Sequence, residues 1–555
     1  MWQQSPTPVM TTSRRSFLIG GLVYRGPECY DVLGASWRSW SEPMMTPPPE
    51  HPAPGTPGEL EKFARLQERL APLYRRVFHD RLAPRTVVVV PSLSLDAEVM
   101  ANITGVRHYE ERMLCMLMLL RLPRARVLFV TSEPVDPTII DYYLHLLPGI
   151  PSSHARRRLT LFSCHDSSPA PLTRKILERP RLLSRIRESI KDPESAHMTC
   201  FAASPLERTL AVRLDVPIYA CDPALCHLGN KSGSRRLFRE AGLSIPDGIE
   251  DLKDGNEVGE ALSELKRRNP RLGRAVVKLN DGFSGEGNAV FEYRGFEGRI
   301  GRAALSKSLR FEAERERWES FEPKLRQMGG IVEAFVEGER TGNADSPSVQ
   351  LRINPVRDVE VISTHEQVLG GPSHQIFTGC AFPAREEYRL ELQELGSRVA
   401  GLLRDRGALG RFGVDFISVP EGDRYAHYAI EINLRKGGTT HPFMMLQYLS
   451  DGSFEPETGL YKSPSGQPRY YYASDNLQSE SYRGLTPRDL IDIAVDHNLH
   501  FHAASQRGVV FHLIGALSEF GKLGMVCVAG SRAEARQLYD DTVDVLNRET
   551  GKSVS

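Results

Sequence analysis

An α/β and α+β multidomain fold is the class this sequence predicts, and three observations carry the prediction. The chain has 555 residues, which at roughly 150 residues per domain suggests three or four domains rather than one core. Its N-terminal half alternates short apolar runs with helical patterns, as an open layer of parallel strands and helices requires. Its C-terminal half turns to strands of period two with Gly-containing turns, the mark of half-buried antiparallel pairs.

Taken in order, residues 43–57 (PMMTPPPEHPAPGTP) hold seven prolines in fifteen positions. Proline removes a backbone donor and fixes φ, so residues 1–57 are expected to be a disordered, proline-rich extension. Ser13-Arg14-Arg15-Ser16-Phe17-Leu18 resembles an export signal, but its apolar run ends at Tyr24 without a small-x-small cleavage site, so a complete signal is not expected. From Gly58 a helical spacing begins (Leu60, Phe63, Leu66, Leu70, Tyr74, Val77), followed by the runs TVVVVPSL, ARVLFVTS, RLTLFSC, HMTCFAA and VPIYAC. These read as five buried strands, with helices predicted over Tyr109–Leu120, Thr138–Leu147 and Pro171–Ile190. No G-x-G-x-x-G follows the first strand, which argues against a dinucleotide-binding layer.

Asn230-Lys231-Ser232 then opens a basic helix that stops at Gly242. In RAVVKLNDGFSGEGNAVFEY a strand ends in Lys278, and Gly282, Ser284, Gly285 and Gly287 form a flexible turn. Such a turn lets backbone N–H groups approach phosphate oxygens; a purely structural hairpin is the alternative. No G-x-x-x-x-G-K-[ST] occurs, excluding a P-loop at the level of motif. SVQLRINP puts Gln350, Arg352 and Asn354 on one face, with Arg352 either a phosphate contact or a surface charge.

Arg411–Thr440 is the most informative stretch. With Glu421-Gly422-Asp423 as the loop, Val414 is expected opposite Ile430 and Phe412 opposite Ile432, leaving Asp415, Glu431 and Asn433 on the other face. Two carboxylates and an amide oxygen are hard ligands suited to Mg²⁺ or Mn²⁺, whereas a hairpin with one solvated polar face is the plain alternative. Beyond it, residues 446–485 lack apolar periodicity and read as a linker or a loop near the active site. A compact α+β domain is predicted over 486–555, starting at Thr486-Pro487. Its His497, His500, His502 and His512 read as hydrogen-bonded scaffold rather than zinc ligands.

Composition narrows the partners. Seventy basic and seventy acidic residues cancel, so neither nucleic acid nor an anionic membrane is indicated, and small charged substrates fit better. No apolar stretch reaches bilayer length. The eight cysteines are scattered without a C-x-x-C, the usage of a reducing cytoplasm. Oligomeric state is not legible.

Together, the motifs N-K-x-x-x-R with G-L-x-I-P, V-V-K with its Gly-rich loop, V-E-A-F-V-E-G-E, G-V-D-F and E-I-N-L-R-K-G-G, in this order over about 226–445, resemble the ATP-grasp superfamily of carboxylate-amine ligases. With T-H-E-Q, F-P-A and GVVFHLIGALSEFGKLG in the flanks, the chain is similar to the pheganomycin-type peptide ligase group. The resemblance implies a pre-ATP-grasp α/β layer over 58–225, a two-part ATP-grasp domain over 226–445 hinged near 333–339, and the small C-terminal domain. It also implies roles. Lys231 and Lys278 would contact the phosphates of ATP, and Gly282, Ser284, Gly285 and Gly287 would close over them. Glu333, Ala334 and Val336 would form the adenine hinge and Glu339 would hold the ribose. Asp415, Glu431 and Asn433 would bind Mg²⁺ or Mn²⁺, and Arg435 would steady the transferred phosphate or the acceptor carboxylate; Arg435 and Arg352 are the catalytic candidates. The implied reaction joins a small carboxylate to an amine or peptide through an acyl phosphate, releasing ADP and Pi. An ATP-binding scaffold without turnover and a small-molecule kinase are the competing readings.

Overall fold

The computed structural model describes residues 51–94, 104–282, 287–296, 299–313, 316–336, 344–370 and 376–551. Of the expected proline-rich extension only 51–57 falls within these, and there Pro57 already opens the helix Pro57–Glu68, whose end is capped by Thr56 accepting from Glu59 N.

The first sheet is parallel, with β1 (Arg85–Val90), β2 (Ala125–Thr131), β3 (Leu159–Ser163) and β4 (Ala196–Cys200) in the order β3-β2-β1-β4. The run of valines in β1 follows from burial on both faces. Val87 and Val89 join one core with a 3₁₀-type helix, Val106–Arg121, while Val88 and Val90 join another with the helices on the opposite face. The fifth expected strand, VPIYAC, is not one: only Ile218 bridges to Met198, because Pro217 cannot donate to a ladder. The helix expected over 171–190 is two, Leu172–Leu177 and Pro180–Ser189, since a proline lacks the N–H that would continue the first.

A second sheet is antiparallel at each pairing: β5 (Gly248–Leu252), β6 (Arg274–Leu279), β7 (Asn288–Glu292), β8 (Leu309–Phe311) and β9 (Gly330–Ala334), in the order β5-β9-β6-β7-β8. The helices Gly255–Arg268 and Trp318–Met328 cover one face through Val258, Leu262, Phe321 and Leu325.

The third sheet has ten strands. β10 (Pro347–Ile353), β11 (Val359–Gly370), β12 (Ile376–Phe382), β13 (Gly410–Glu421), β14 (Arg424–Asn433), β15 (Ser453–Glu455), β16 (Leu460–Lys462) and β17 (Pro468–Gln478) run in the order β14-β13-β10-β11-β12-β17-β16-β15. β18 (Gly508–His512) and β19 (Lys522–Ala529) extend it through pairing of β19 with β17. Residues 446–485 are therefore no linker: β17 is hydrogen-bonded to β12 on one side and to β19 on the other. Nor is 486–555 separately cored, because Leu490, Val510, Met525 and Leu546 share one apolar cluster with Val87, Leu114, Phe382 and Phe443. Two features hid β17 from periodicity. Its apolar side chains are mostly tyrosines, and its partners lie about 90 residues before it and 50 after it, at Gly379 and Cys527.

Candidate active site

The site starts with one helix clamped by two sheets. In Lys231–Glu240 the Asn230 side chain caps the N-terminus by accepting from Gly233 N (2.7 Å). Ser232 donates from its backbone N and its Oγ to Asn280 Oδ1 (3.0 and 2.7 Å), just past the end of β6, while Ser234 Oγ accepts from Ile432 N of β14 (3.0 Å). The first turn is thereby tied to both sheets, and Lys231 Nζ is placed 3.2 Å from Glu431 Oε1.

Lys278, at the end of β6, is held likewise. Its Nζ lies 2.5 Å from Glu333 Oε1, and Glu333 Oε2 accepts from Arg235 Nη1 at 2.9 Å. All three are buried. Burial pushes the Glu333 carboxyl up, yet Lys278 and Arg235 beside it leave it below the ordinary value. The Glu333 side chain thus orients two cations, while Ala334, Phe335 and Val336 after it line the cavity. Gly282 lines it as well. Gly287 sits at φ +89° with Leu279 side-chain carbons 3.3–3.5 Å from where a Cβ would lie, so its lack of a side chain is a structural requirement. Ser284, Gly285 and Glu339 lie outside the described residues.

The β13–β14 hairpin carries the acidic face, in a register two residues from the expected one beside the site and one residue from it beyond a bulge. Asp415 pairs with Glu431, Val414 with Ile432 and Gly413 with Asn433, before a bulge after Asp415 shifts Phe416 opposite Ala429. The turn has two central residues, Gly422-Asp423, between paired Glu421 and Arg424. The bulge has a consequence for the faces: Ile432 and Ala429 enter the core, and Ile430, expected there, lines the cavity instead. Asp415, Glu431 and Asn433 still share the cavity wall. Asp415 accepts from Asn433 Nδ2 and Gln367 Nε2, both at 2.8 Å. Burial, and next the neighbouring Glu431 charge, push its carboxyl up to about 7 despite Arg435. Two half-buried carboxylates in one wall repel each other, and an amide completes the set. This donor chemistry fits a hard divalent cation.

Arg435, half-buried, lines the same cavity, with Glu431 and Asp415 as its counter-charges. Arg352 does not join it. On β10 the cavity face ends at Ser348 and Gln350, and one step further Arg352 Nε donates to Glu360 Oε2 (3.1 Å) of β11. The expected catalytic assignment of Arg352 is corrected to a cross-strand ion pair. The histidines of the C-terminal part are engaged elsewhere: His497 Nε2 lies 2.7 Å from Glu549, and the His512 ring centre is 4.3 Å from that of His441.

The cavity measures about 870 Å³ and spans all three parts of the chain. Residues that sequence reasoning missed complete it: Gln367 beside Asp415, Asn280 locking the Lys231 helix, and a distal group of Tyr109, Arg112, Phe201, Asp475 and Lys522. T-H-E-Q held a local signal for Gln367. In the distal group only Lys522 lay in a flanking motif, GVVFHLIGALSEFGKLG; the others come from the 3₁₀-type helix, the residue after β4 and β17.

Two sheets closing over a cavity that sets two lysines against an acidic hairpin face define a two-lobed, phosphate-handling enzyme site. Comparison with known proteins gives that class its family. The family described as IQCH-like, ATP-grasp matches residues 223–297 and 300–457, and the PGM1 C-terminal domain matches 489–542. The L-propargylglycine--L-glutamate ligase of Streptantibioticus cattleyicolor is 30% identical over 478 residues, covering 84% of this chain and 95% of that protein. The IQ motif-containing protein H of Danio rerio is 22% identical over 459 residues, covering 74% of this chain and 43% of that protein. Among solved structures, a biotin carboxylase β,γ-ATP complex from Campylobacter jejuni is 12% identical, covers 83% of this chain and 91% of that one, and superposes with a TM-score of 0.51, which bears on the fold alone. The chain belongs to the ATP-grasp carboxylate-amine ligase family and is an ATP-dependent, amide-bond-forming ligase.

Proposed function

We propose that this ligase joins the carboxylate of an amino acid, or a similar small acid, to the amine of an amino acid or peptide through an acyl phosphate, with release of ADP and Pi. The observation that carries the reading is that Lys231, Lys278 and Arg435 line the same cavity as Asp415, Glu431 and Asn433. The named function of the Streptantibioticus relative, ligation of L-propargylglycine to L-glutamate, supports an amino acid on each side.

A carboxylate is a poor electrophile, and phosphorylation gives it a good leaving group. In the first step a carboxylate oxygen attacks the γ-phosphorus of ATP and the bond to the β-phosphate oxygen breaks, releasing ADP. In the second the acceptor nitrogen attacks the acyl carbon and the C–O bond to phosphate breaks, the departing phosphate carrying off the amine proton. Lys231 and Lys278 offset the charge of the phosphate chain, the Glu333 carboxylate holds Lys278 in place, and Arg435 stabilises the charge spread over the phosphoryl group in flight. Asp415, Glu431 and Asn433 would hold Mg²⁺, which when bound supplies charge neutralisation at the terminal phosphates.

Hydroxylamine, a small nucleophile, tests the reading by trapping the acyl phosphate. Incubation with ATP, Mg²⁺ and a mixed pool of amino acids and peptides is expected to give a hydroxamate that depends on ATP and the acid, and an amide product by mass spectrometry. Release of AMP and pyrophosphate would overturn the acyl phosphate. ADP release with neither hydroxamate nor amide would point to a kinase, and ATP binding with no ADP release to a scaffold.

A further inference from the structure

The distal end of the cavity holds more positive charge than phosphoryl transfer uses. Arg112, of the 3₁₀-type helix Val106–Arg121, and Lys522, the first residue of β19, are 8% and 4% exposed, and both line the cavity. Tyr109, on the same helix as Arg112, links the two cations. Its ring stacks under the Arg112 guanidinium (3.9 Å to the centroid), and its Oη accepts from Lys522 Nζ (2.9 Å). Arg112 Nη2 donates to Asp475 of β17, which is 7% exposed. Among the described residues, two cations against one anion leave a buried surplus of one positive charge. Among them too, Arg112 Nε is buried without a hydrogen-bond partner, and a lysine ammonium with one bond to Tyr109 has two further protons to donate.

A buried charge without a counter-ion is costly, so this end is built for a ligand bearing one negative group. The carboxylate to be phosphorylated has to meet ATP beside Asp415, Glu431 and Arg435 of the hairpin, so the cations carried by the 3₁₀-type helix and β19 serve a carboxylate that does not react. Resting on the ligase reading above, we infer that Arg112 and Lys522 bind the free carboxylate of the acceptor, with Asp475 and Tyr109 fixing the two cations. The acceptor is then an α-amino acid or a peptide with a free C-terminus, and amines lacking a carboxylate are excluded. Residues 489–542, the match to the PGM1 C-terminal domain, include Lys522, so that segment contributes directly to substrate selection.

Binding of the twenty L-amino acids and their α-amides to the full chain is measured by calorimetry with ADP and Mg²⁺ present. Acids that yield a hydroxamate with hydroxylamine are set aside as donors. At least one remaining acid should bind ten-fold or more tightly than its amide, and Lys522→Gln should remove that difference by weakening the acid alone. Hydroxamate formation from the donor should persist in Lys522→Gln, while KM for the acceptor rises ten-fold or more. Equal binding of acid and amide by the wild-type chain, absence of any non-donor acid that binds, or loss of donor hydroxamate in Lys522→Gln would each overturn the inference. The wild-type comparison decides even where the variant does not fold. Acid-selective, Lys522-dependent binding without any turnover would sink the ligase mechanism and leave the subsite standing.

Discussion

Asp415 and Glu431 are directly opposed across two strands and line one cavity, where their charges repel each other, although Glu431 is also paired with Lys231. Removing the Asp415 charge should therefore abolish turnover without costing stability. Glu431→Gln and Asp415→Asn are expected to lower hydroxamate formation at least 100-fold, and Asp415→Asn to leave the melting temperature equal or higher in metal-free buffer. Wild-type rates at low Mg²⁺ would mark the hairpin face as merely polar. Glu333 sits in the opposite situation, because its carboxylate holds both Lys278 and Arg235 in the ion pairs described above. Glu333→Gln removes the buried charge these two cations share, Arg235 keeping its pair with Glu250, and should cost about 3 kcal/mol in chemical denaturation while also weakening ATP binding. A change below ~1 kcal/mol would mean that the cluster is effectively solvated.

At the scale of elements, the β6–β7 turn and the β13–β14 hairpin differ in how they tolerate change. Gly287 stands at φ +89° against Leu279, where a branched side chain is strained in backbone and in space. Gly287→Val should weaken ATP binding ten-fold or more and slow turnover, because relieving the strain moves the end of β6 that carries Lys278. Unchanged ATP affinity would show the turn to be independent of the nucleotide. The acidic hairpin instead gains from its irregularity. The bulge after Asp415 keeps Asp415 and Glu431 paired on the cavity side while sending Ala429 and Ile432 into the core.

The whole molecule depends on strands contributed from distant parts of the chain. β19 lies between β17 and β18, and the final helix Arg532–Glu549 packs Leu538 and Leu546 into the cluster that reaches Val87. A chain truncated after Gly484 should accordingly be insoluble or unfolded rather than an active core; a soluble product with a cooperative melt would show the tail to be dispensable. Acid should destabilise the molecule for a separate reason. His197 and His441 are held neutral by burial, each pushed down to about 4, below the 6.5 of an exposed imidazole. The unfolded chain binds protons first as the pH falls, so stability present above pH ~6.5 is lost towards pH ~4, by at most about 3 kcal/mol per group. Melting curves between pH 7 and 5 test this, and His197→Phe should flatten them. A pH-independent wild-type melting temperature would contradict it.

Whatever depends on neighbours along the chain was legible in the sequence. The cap at Asn230, the capping box of Thr486 with Asp489, strands β1 to β4 and the polar face of Asp415, Glu431 and Asn433 follow from propensity, caps and alternation over a few residues. What depended on pairing between remote segments was not. The hairpin register was settled by a bulge, Arg352 was drawn to Glu360 on the adjacent strand, and β17 was placed between β12 and β19. Local pattern reports which face a side chain prefers. Only long-range packing decides what that face meets, which is why the acidic face could be read from one hairpin, whereas the grouping of Arg112, Asp475 and Lys522, drawn from residues up to 410 positions apart, exists only in the folded chain.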